Sequence, residues 1–206
     1  ANNIQKKIHN NYSINIESKL FNKIHVSTDS KKIRSVVEKY KINIDFMRNK
    51  KISRDKSPVS KVIKFVLNEY KKINQQFDEV WLVFATNPFI KEKYLNEANK
   101  LYLKNKKKYS IISVTKYNYP NEWALKMDKK KKTLKPLFPK LITKDSNNLA
   151  KNFCEAGMFV VYQKNFSISQ NKLSYLPYEL PLMSSIDIDN LEDLRIAKKL
   201  FKIQNK

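Results

Sequence analysis

The sequence predicts an α/β fold with a mainly parallel, doubly wound sheet. Apolar, β-branched runs alternate along the chain with segments whose apolar residues recur at helical spacing. The loops that close the apolar runs are polar, where such sheets collect their ligands. A chain of 206 residues is long enough for one domain with a sizeable core.

The elements follow in order. Lys23 to Asp29 (KIHVSTD) reads as a buried strand, and Ser30 can cap a helix carrying Ile33, Val36, Val37 and Tyr40 on one side. Ile42 to Phe46 is a short strand before a polar loop. Ser57-Pro58 opens the next helix as an N-cap and first-turn proline, and Val59, Val62, Ile63, Val66, Leu67 and Tyr70 form its apolar face. Glu79 to Phe84 (EVWLVF) is the clearest strand, followed by a Thr86-Asn87-Pro88 loop and a helix near Lys91 to Asn105. Tyr109 to Thr115 is a further strand. Alternation of this kind implies right-handed crossovers and a sheet covered on both faces.

Chemistry is concentrated in Ile186-Asp187-Ile188-Asp189-Asn190-Leu191-Glu192-Asp193. In extended backbone, residues two apart point to the same side, so Asp187 and Asp189 converge while Ile186 and Ile188 turn away. Two hard oxygen donors on one face suit Mg²⁺, which takes few protein carboxylates and fills its shell with water and substrate phosphates. The competing account is helix initiation, with Asn190 as N-cap and Asp193 favoured by the helix dipole. Ser27-Thr28-Asp29 and Thr86-Asn87-Pro88 belong to the same class of strand-end loop, and ordinary turn chemistry would account for either alone.

Val26-Ser27-Thr28-Asp29, Phe46-Met47-Arg48, Ala85-Thr86-Asn87-Pro88-Phe89, Glu155-Ala156-Gly157-Met158-Phe159 and Asp187 to Asp193, in this order, resemble the acylneuraminate cytidylyltransferases. That family comprises the CMP-sialic acid synthetases and their bacterial relatives. The Phe84-Ala85-Thr86 form of the central loop looks closer to the members acting on pseudaminic acid. The resemblance spans roughly residues 12 to 201 and implies a Rossmann-like nucleotidyltransferase. Its implied reaction joins CTP to a nine-carbon keto-sugar acid, giving a CMP-sugar and pyrophosphate. Carried over by position, Asp187 and Asp189 would be catalytic and hold Mg²⁺. Arg48 and Ser57 would line the nucleotide pocket, with Asp29 beside it as a supporting partner or simply as a helix-capping loop residue. Phe84, Thr86, Asn87, Gly157 and Phe159 would face the sugar.

Departures from the family pattern are equally specific. Members begin with a strand and a glycine-rich, Arg/Lys-bearing loop around the triphosphate, whereas the only glycine here is Gly157. Asn2-Asn3-Ile4 resembles the tail of that loop, so Asn3 would still reach the nucleotide. The expectation is that the loop lies outside this sequence. Its loss would instead make the chain a non-catalytic nucleotide- or sugar-binding homologue. Trp123 and Lys144 stand where the family has arginines, and a lysine offers the sugar carboxylate a point charge in place of a bidentate fork.

A formal charge of +23 raises the question of nucleic acid. Lysine dominates, with arginine only at Arg34, Arg48, Arg54 and Arg195, and it is spread along every expected helix. With abundant Asn and Ile, this reads as the bias of an A/T-rich genome, so no specific nucleic-acid partner is expected. The Lys129 to Lys132 run reads as a solvated hairpin tip after Asp128. Cys154 alone permits no internal disulfide, and His9 and His25 are too few and too far apart for a zinc site. There is no apolar run of membrane-spanning length and no signal-peptide pattern. A cytoplasmic protein without membrane contact is expected.

Residues 1–206 are thus read as a single nucleotidyltransferase-like domain, with 117–153 as an inserted arm. Tyr117, Tyr119, Trp123, Leu125, Leu134, Leu137 and Phe138 give the arm apolar surface needing cover. In the resembling family such an arm crosses to a partner, so a homodimer is expected, although the same residues would also serve to fold back on their own sheet. A polyanion-binding module using lysine charge is the third alternative, and the even spread of lysine does not support it.

Overall fold

The computed structural model of the chain describes residues 18–53, 57–163 and 174–204, so Asn3 and His9 lie outside the described residues. Four α-helices are described: α1 (Lys31–Glu38), α2 (Val59–Lys72), α3 (Glu92–Lys104) and α4 (Leu191–Gln204). Six strands are described: β1 (Glu79–Val83), β2 (Ser110–Lys116), β3 (Leu125–Asp128), β4 (Thr133–Pro136), β5 (Phe153–Gln163) and β6 (Tyr175–Glu179).

The central sheet has the order β1-β5-β2-β6. Strand β5 runs antiparallel to both β1 and β2, while β2 and β6 are parallel. Strands β1, β2 and β6 therefore share one direction, but β5 is threaded between them in reverse, so the expected mainly parallel sheet is a mixed one whose only parallel ladder among the described strands is β2 with β6. Helix α3 covers one face: Tyr94, Leu95, Ala98 and Tyr102 are buried against Ile111, Phe159 and Val161. Helix α2 lies by β1, and Val62, Ile63 and Val66 share a groove of about 500 Å³ with Val80 and Leu82.

Two expected strands are corrected. Neither Lys23 to Asp29 nor Ile42 to Phe46 enters a ladder among the described residues. Their hydrophobic reading holds, because Val26, Ile42 and Ile44 are buried with Val37 of α1 in a second small core. A run with strand composition pairs only where a neighbouring backbone presents free N–H and C=O groups. The Arg48 N–H to Thr28 carbonyl bond (2.8 Å) links the ends of the two segments. Helix α1 is capped as expected, the Ser30 hydroxyl accepting from the Ile33 N–H at 3.4 Å. Helix α2 begins one residue later than expected: Pro58 is the N-cap, and no side chain caps its first turn.

Strand β5 carries a bulge. Ile112 pairs with Val160 and Val114 with Glu155, leaving residues 156–159 opposite Ser113 alone. The fully buried Ser113 hydroxyl donates to the Phe159 carbonyl (2.9 Å) and accepts from the N–H groups of Met158 (3.3 Å) and Phe159 (3.0 Å). One hydroxyl thus satisfies the backbone that the bulge removes from the ladder.

The arm contains a separate two-stranded ribbon in which Leu125 pairs with Pro136 and Met127 with Leu134. Lys129 to Lys132 do form its tip, and the Asp128 carboxylate accepts from the N–H groups of Lys130 and Lys131, each at 3.1 Å. Cys154 is a half-buried free thiol.

His25 sits against Phe46 (4.5 Å between ring centroids) and Tyr70. The Tyr70 hydroxyl donates to Asp45 at 2.6 Å, so the His25 Nδ1–H donates to Tyr70 at 3.0 Å. Burial, assisted by Lys23 and opposed by Asp45, lowers the His25 pKa from 6.5 to about 4. The Asp45 carboxyl is held below its usual range by hydrogen bonds from Lys23 and Tyr70. Between 6.5 and about 4 the unfolded histidine takes a proton that the folded one refuses, so stability falls with pH across that window. Asp45 extends the loss at lower pH, since its stabilisation vanishes as the folded carboxylate protonates. The melting temperature should decline from pH 7 to pH 4, and His25→Phe should flatten the upper part of that slope in calorimetry. An unchanged slope would remove His25 as its cause.

Candidate active site

Three loops meet at one end of the sheet, and Asn87 ties them together. Its side chain is fully buried, and its amide donates to the carbonyls of Ala156 (3.4 Å) and Ser184 (3.2 Å). Its Oδ1 accepts from the Phe89 N–H at 3.0 Å. The Tyr94 hydroxyl and Ser184 Oγ lie 3.1 Å apart, and the Ile188 N–H donates to the Thr86 carbonyl at 3.2 Å. The loop after β1, the bulge of β5 and the loop after β6 are thereby fixed to one another.

The Asp187 segment is held from its other end by helix α4. The Asn190 Oδ1 accepts from the N–H groups of Glu192 (2.8 Å) and Asp193 (3.1 Å). The Asp193 carboxylate answers by accepting from the N–H groups of Asp189 and Asn190, each at 3.0 Å. This reciprocal cap realises the helix-initiation reading without consuming Asp187. The cap occupies Asn190 and Asp193 and leaves the Asp187 side chain out of helix initiation.

Asp187 faces the bulge. Gly157 has φ +57°, and a Cβ built there would lie 2.7 Å from Asp187 Oδ2. A side chain at 157 would occupy the space of the carboxylate. Asp187 Oδ1 is buried without a hydrogen-bond partner among the described residues. A carboxylate oxygen kept dry and unpaired costs stability, and a cation would relieve that cost. Asp189 is exposed beside it.

A cleft of about 510 Å³ opens from this point. Phe84, Glu155, Gly157, Tyr162, Tyr175 and Asp187 line it, together with Pro58, Val59 and Ser60 at the uncapped start of α2. Helix starts of this kind offer free N–H groups and the positive end of the dipole to an anion. The Glu155 carboxyl is raised above its usual range by burial and by the neighbouring Asp187. Burial also raises the Tyr162 hydroxyl to about 12, with Tyr175 and Glu155 adding to the shift.

Of the residues expected from sequence, Phe84, Gly157 and Asp187 line this cleft, and Ser57 immediately precedes the Pro58 that does. Arg48 and Asp29 are brought together, Nη2 to Oδ1 at 3.7 Å, and Arg48 Nε donates to the Ser53 hydroxyl at 3.2 Å. Thr86 is exposed at the loop. Lys144 is exposed in the arm, where its carbonyl accepts from the Trp123 indole at 3.2 Å. Two expectations are corrected. Asn87 cannot face a sugar, because its amide is spent on the loop clasp. Phe159 is fully buried against Trp81 and Tyr178, carried into the core by the bulge. Glu155, Tyr162 and Tyr175 were missed. Glu155 sits in the Glu-Ala-Gly run that marks the bulge, and a charged residue in an otherwise apolar strand was the available signal.

Comparison with known proteins agrees with this geometry. The family profile described as Cytidylyltransferase matches residues 8–200. A pseudaminic acid cytidylyltransferase of Campylobacter jejuni is 26% identical over 201 residues, covering 94% of this chain and 85% of that one. A CMP-N,N'-diacetyllegionaminic acid synthase of Legionella pneumophila is 28% identical over 195 residues, covering 91% and 82% respectively. The solved structure of a CMP:2-keto-3-deoxy-manno-octonic acid synthetase complexed with CTP superposes with a TM-score of 0.66 at 10% identity, covering 96% of this chain and 88% of that one. At that identity the likeness shows the fold.

Proposed function

The chain belongs to the cytidylyltransferase family of nucleotidyltransferases, and from that premise we propose that it activates a nonulosonic acid of the pseudaminic type with CTP. The anomeric hydroxyl would attack the α-phosphorus of CTP. A new P–O bond forms, the bond to the β-phosphate oxygen breaks, pyrophosphate leaves with its electron pair, and the hydroxyl proton is released to solvent. The observation that carries this reading is Asp187, held against Gly157 at the mouth of the cleft with Oδ1 unpaired.

The donor set fits a divalent cation of the Mg²⁺ type, since Asp187 and Asp189 supply hard oxygens and leave further positions for water and phosphate. When bound, that ion would supply neutralisation of the phosphate charge. This chain's own residues do the rest. The uncapped start of α2 faces the cleft with backbone N–H groups suited to phosphate oxygens. Arg48, fixed by Asp29 and Ser53, holds positive charge at the Ser27-Thr28-Asp29 loop. The Asn87 clasp keeps the three loops in one arrangement, which preserves alignment between nucleophile and phosphate. No feature of the cleft favours the binding-only alternative.

Among the described residues no helix is long and apolar enough to cross a membrane, and a cytoplasmic site for the reaction is part of this proposal. The ribbon exposes Leu125 (48%), Met127 (52%) and Leu134 (54%) on its paired face, with Leu137 and Phe138 beyond it. This apolar area favours a homodimer. Pyrophosphate release should require CTP and a nonulosonic acid together, with CTP preferred over UTP, ATP and GTP. Light scattering at micromolar concentration should report a dimer. Turnover with no sugar acid of this class would defeat the substrate reading, and a monomer would defeat the second.

A further inference from the structure

We propose that Glu155 is a positioning residue for the sugar acid, accepting hydrogen bonds from its hydroxyl or acylamino N–H donors and turning its carboxylate away. This rests on the reading that the cleft takes a nonulosonic acid. Glu155 lines the cleft together with Asp187, Tyr162 and Tyr175, at the strand position just before the Gly157 bulge. Its carboxylate lies close enough to Asp187 for the two to repel, and it is exposed to the cleft. It enters no hydrogen bond or ion pair among the described residues.

Among the described residues no group of the fold pairs with this carboxylate, and its like-charged neighbour Asp187 makes the bare position less favourable than one filled by a donor. Here the cost stays in the free protein, and a ligand is the group that can repay it. An ionised carboxylate only accepts hydrogen bonds, so it recognises donors. The ligand is itself an anion. Glu155 keeps its own part of the cleft wall negative even when Asp187 holds a cation, and the sugar carboxylate is more stable when aimed away from it. The same wall attracts the donor-bearing part of the ring. Glu155 therefore both reads the substituents of the sugar and sets its orientation. The hydroxyls of Tyr162 and Tyr175, held protonated at neutral pH, stand beside it as further polar contacts.

The test is steady-state kinetics of the full chain with CTP and pseudaminic acid, comparing wild type with Glu155→Ala and Glu155→Gln. The KM for the sugar acid should rise on the order of tenfold in E155A, the scale of one hydrogen bond to a charged group, and less in E155Q, whose amide oxygen still accepts. The KM for CTP should stay within about twofold. Melting temperatures should equal or exceed that of wild type, since each variant removes a repulsion, so any kinetic loss is not loss of fold. An unchanged sugar KM in both variants, or an equal rise in the CTP KM, would overturn the role of Glu155 while leaving the reaction in place. If wild type itself turned over no sugar acid of this class, the functional reading and this inference would both fall.

Discussion

Asp187→Asn should lower turnover on the order of 1,000-fold, equivalent to about 4 kcal/mol of transition-state stabilisation lost with a cation-binding carboxylate. Its melting temperature should stay level or rise. The wild-type Oδ1 is buried without a partner, and Asp187 faces the like charge of Glu155, so the amide removes a cost from the folded state. Loss of activity with no loss of stability is the signature of a side chain kept for chemistry. Pyrophosphate release measured beside thermal melting tests both parts. An Asn variant of wild-type activity would end the assignment, and an inactive variant that melts early would make Asp187 a structural residue.

Gly157→Ala should damage the same site from the opposite side. The added methyl would sit 2.7 Å from Asp187 Oδ2 at a backbone angle of +57° that side chains rarely adopt. Left-handed backbone costs an alanine about 1–2 kcal/mol, which lowers the melting temperature by roughly 2–8 °C in a chain of this size. The carboxylate must also move, and a displacement of about 1 Å at a reacting centre costs up to 100-fold in rate. An active, normally melting variant would show that the contact between strand and carboxylate is loose. These two variants separate the charge of Asp187 from its placement.

The helices and the strands β1 and β2 were legible because their signals are local: the helical recurrence of α2 and α3 and the apolar run of β1 need no partner to be read, whereas β5 and β6 were not read as strands. Lys23 to Asp29 and Ile42 to Phe46 were read as strands on the same local signal, yet pairing depends on what lies alongside. The reversed course of β5 was hidden for a related reason. Nothing in Phe153 to Gln163 announces direction, and its bulge rests on Ser113, 45 and 46 residues away in the chain from the Met158 and Phe159 it holds. Among site residues, Asp187 and Gly157 were found because their residue types are chemically unusual where they stand. Asn87 and Phe159 were misplaced because position in a motif does not say which way a side chain turns. The bulge sends Phe159 inward, and a buried amide such as Asn87 is an efficient tie between loops.

Gly157 also gives the rest of the chain a scale. Six described residues other than glycine adopt positive φ: Lys19, Lys41, Asn74, Lys106, Lys107 and Lys132. All but Lys19 sit in turns, where glycine is the usual occupant. If the excess of lysine and asparagine is the imprint of nucleotide bias, each such site is a place where glycine was dispensable. At those six the penalty is backbone strain alone, and the chain tolerates it. At Gly157 the penalty is strain plus collision with a carboxylate. In a sequence nearly emptied of glycine, the one that is present separates discomfort from prohibition.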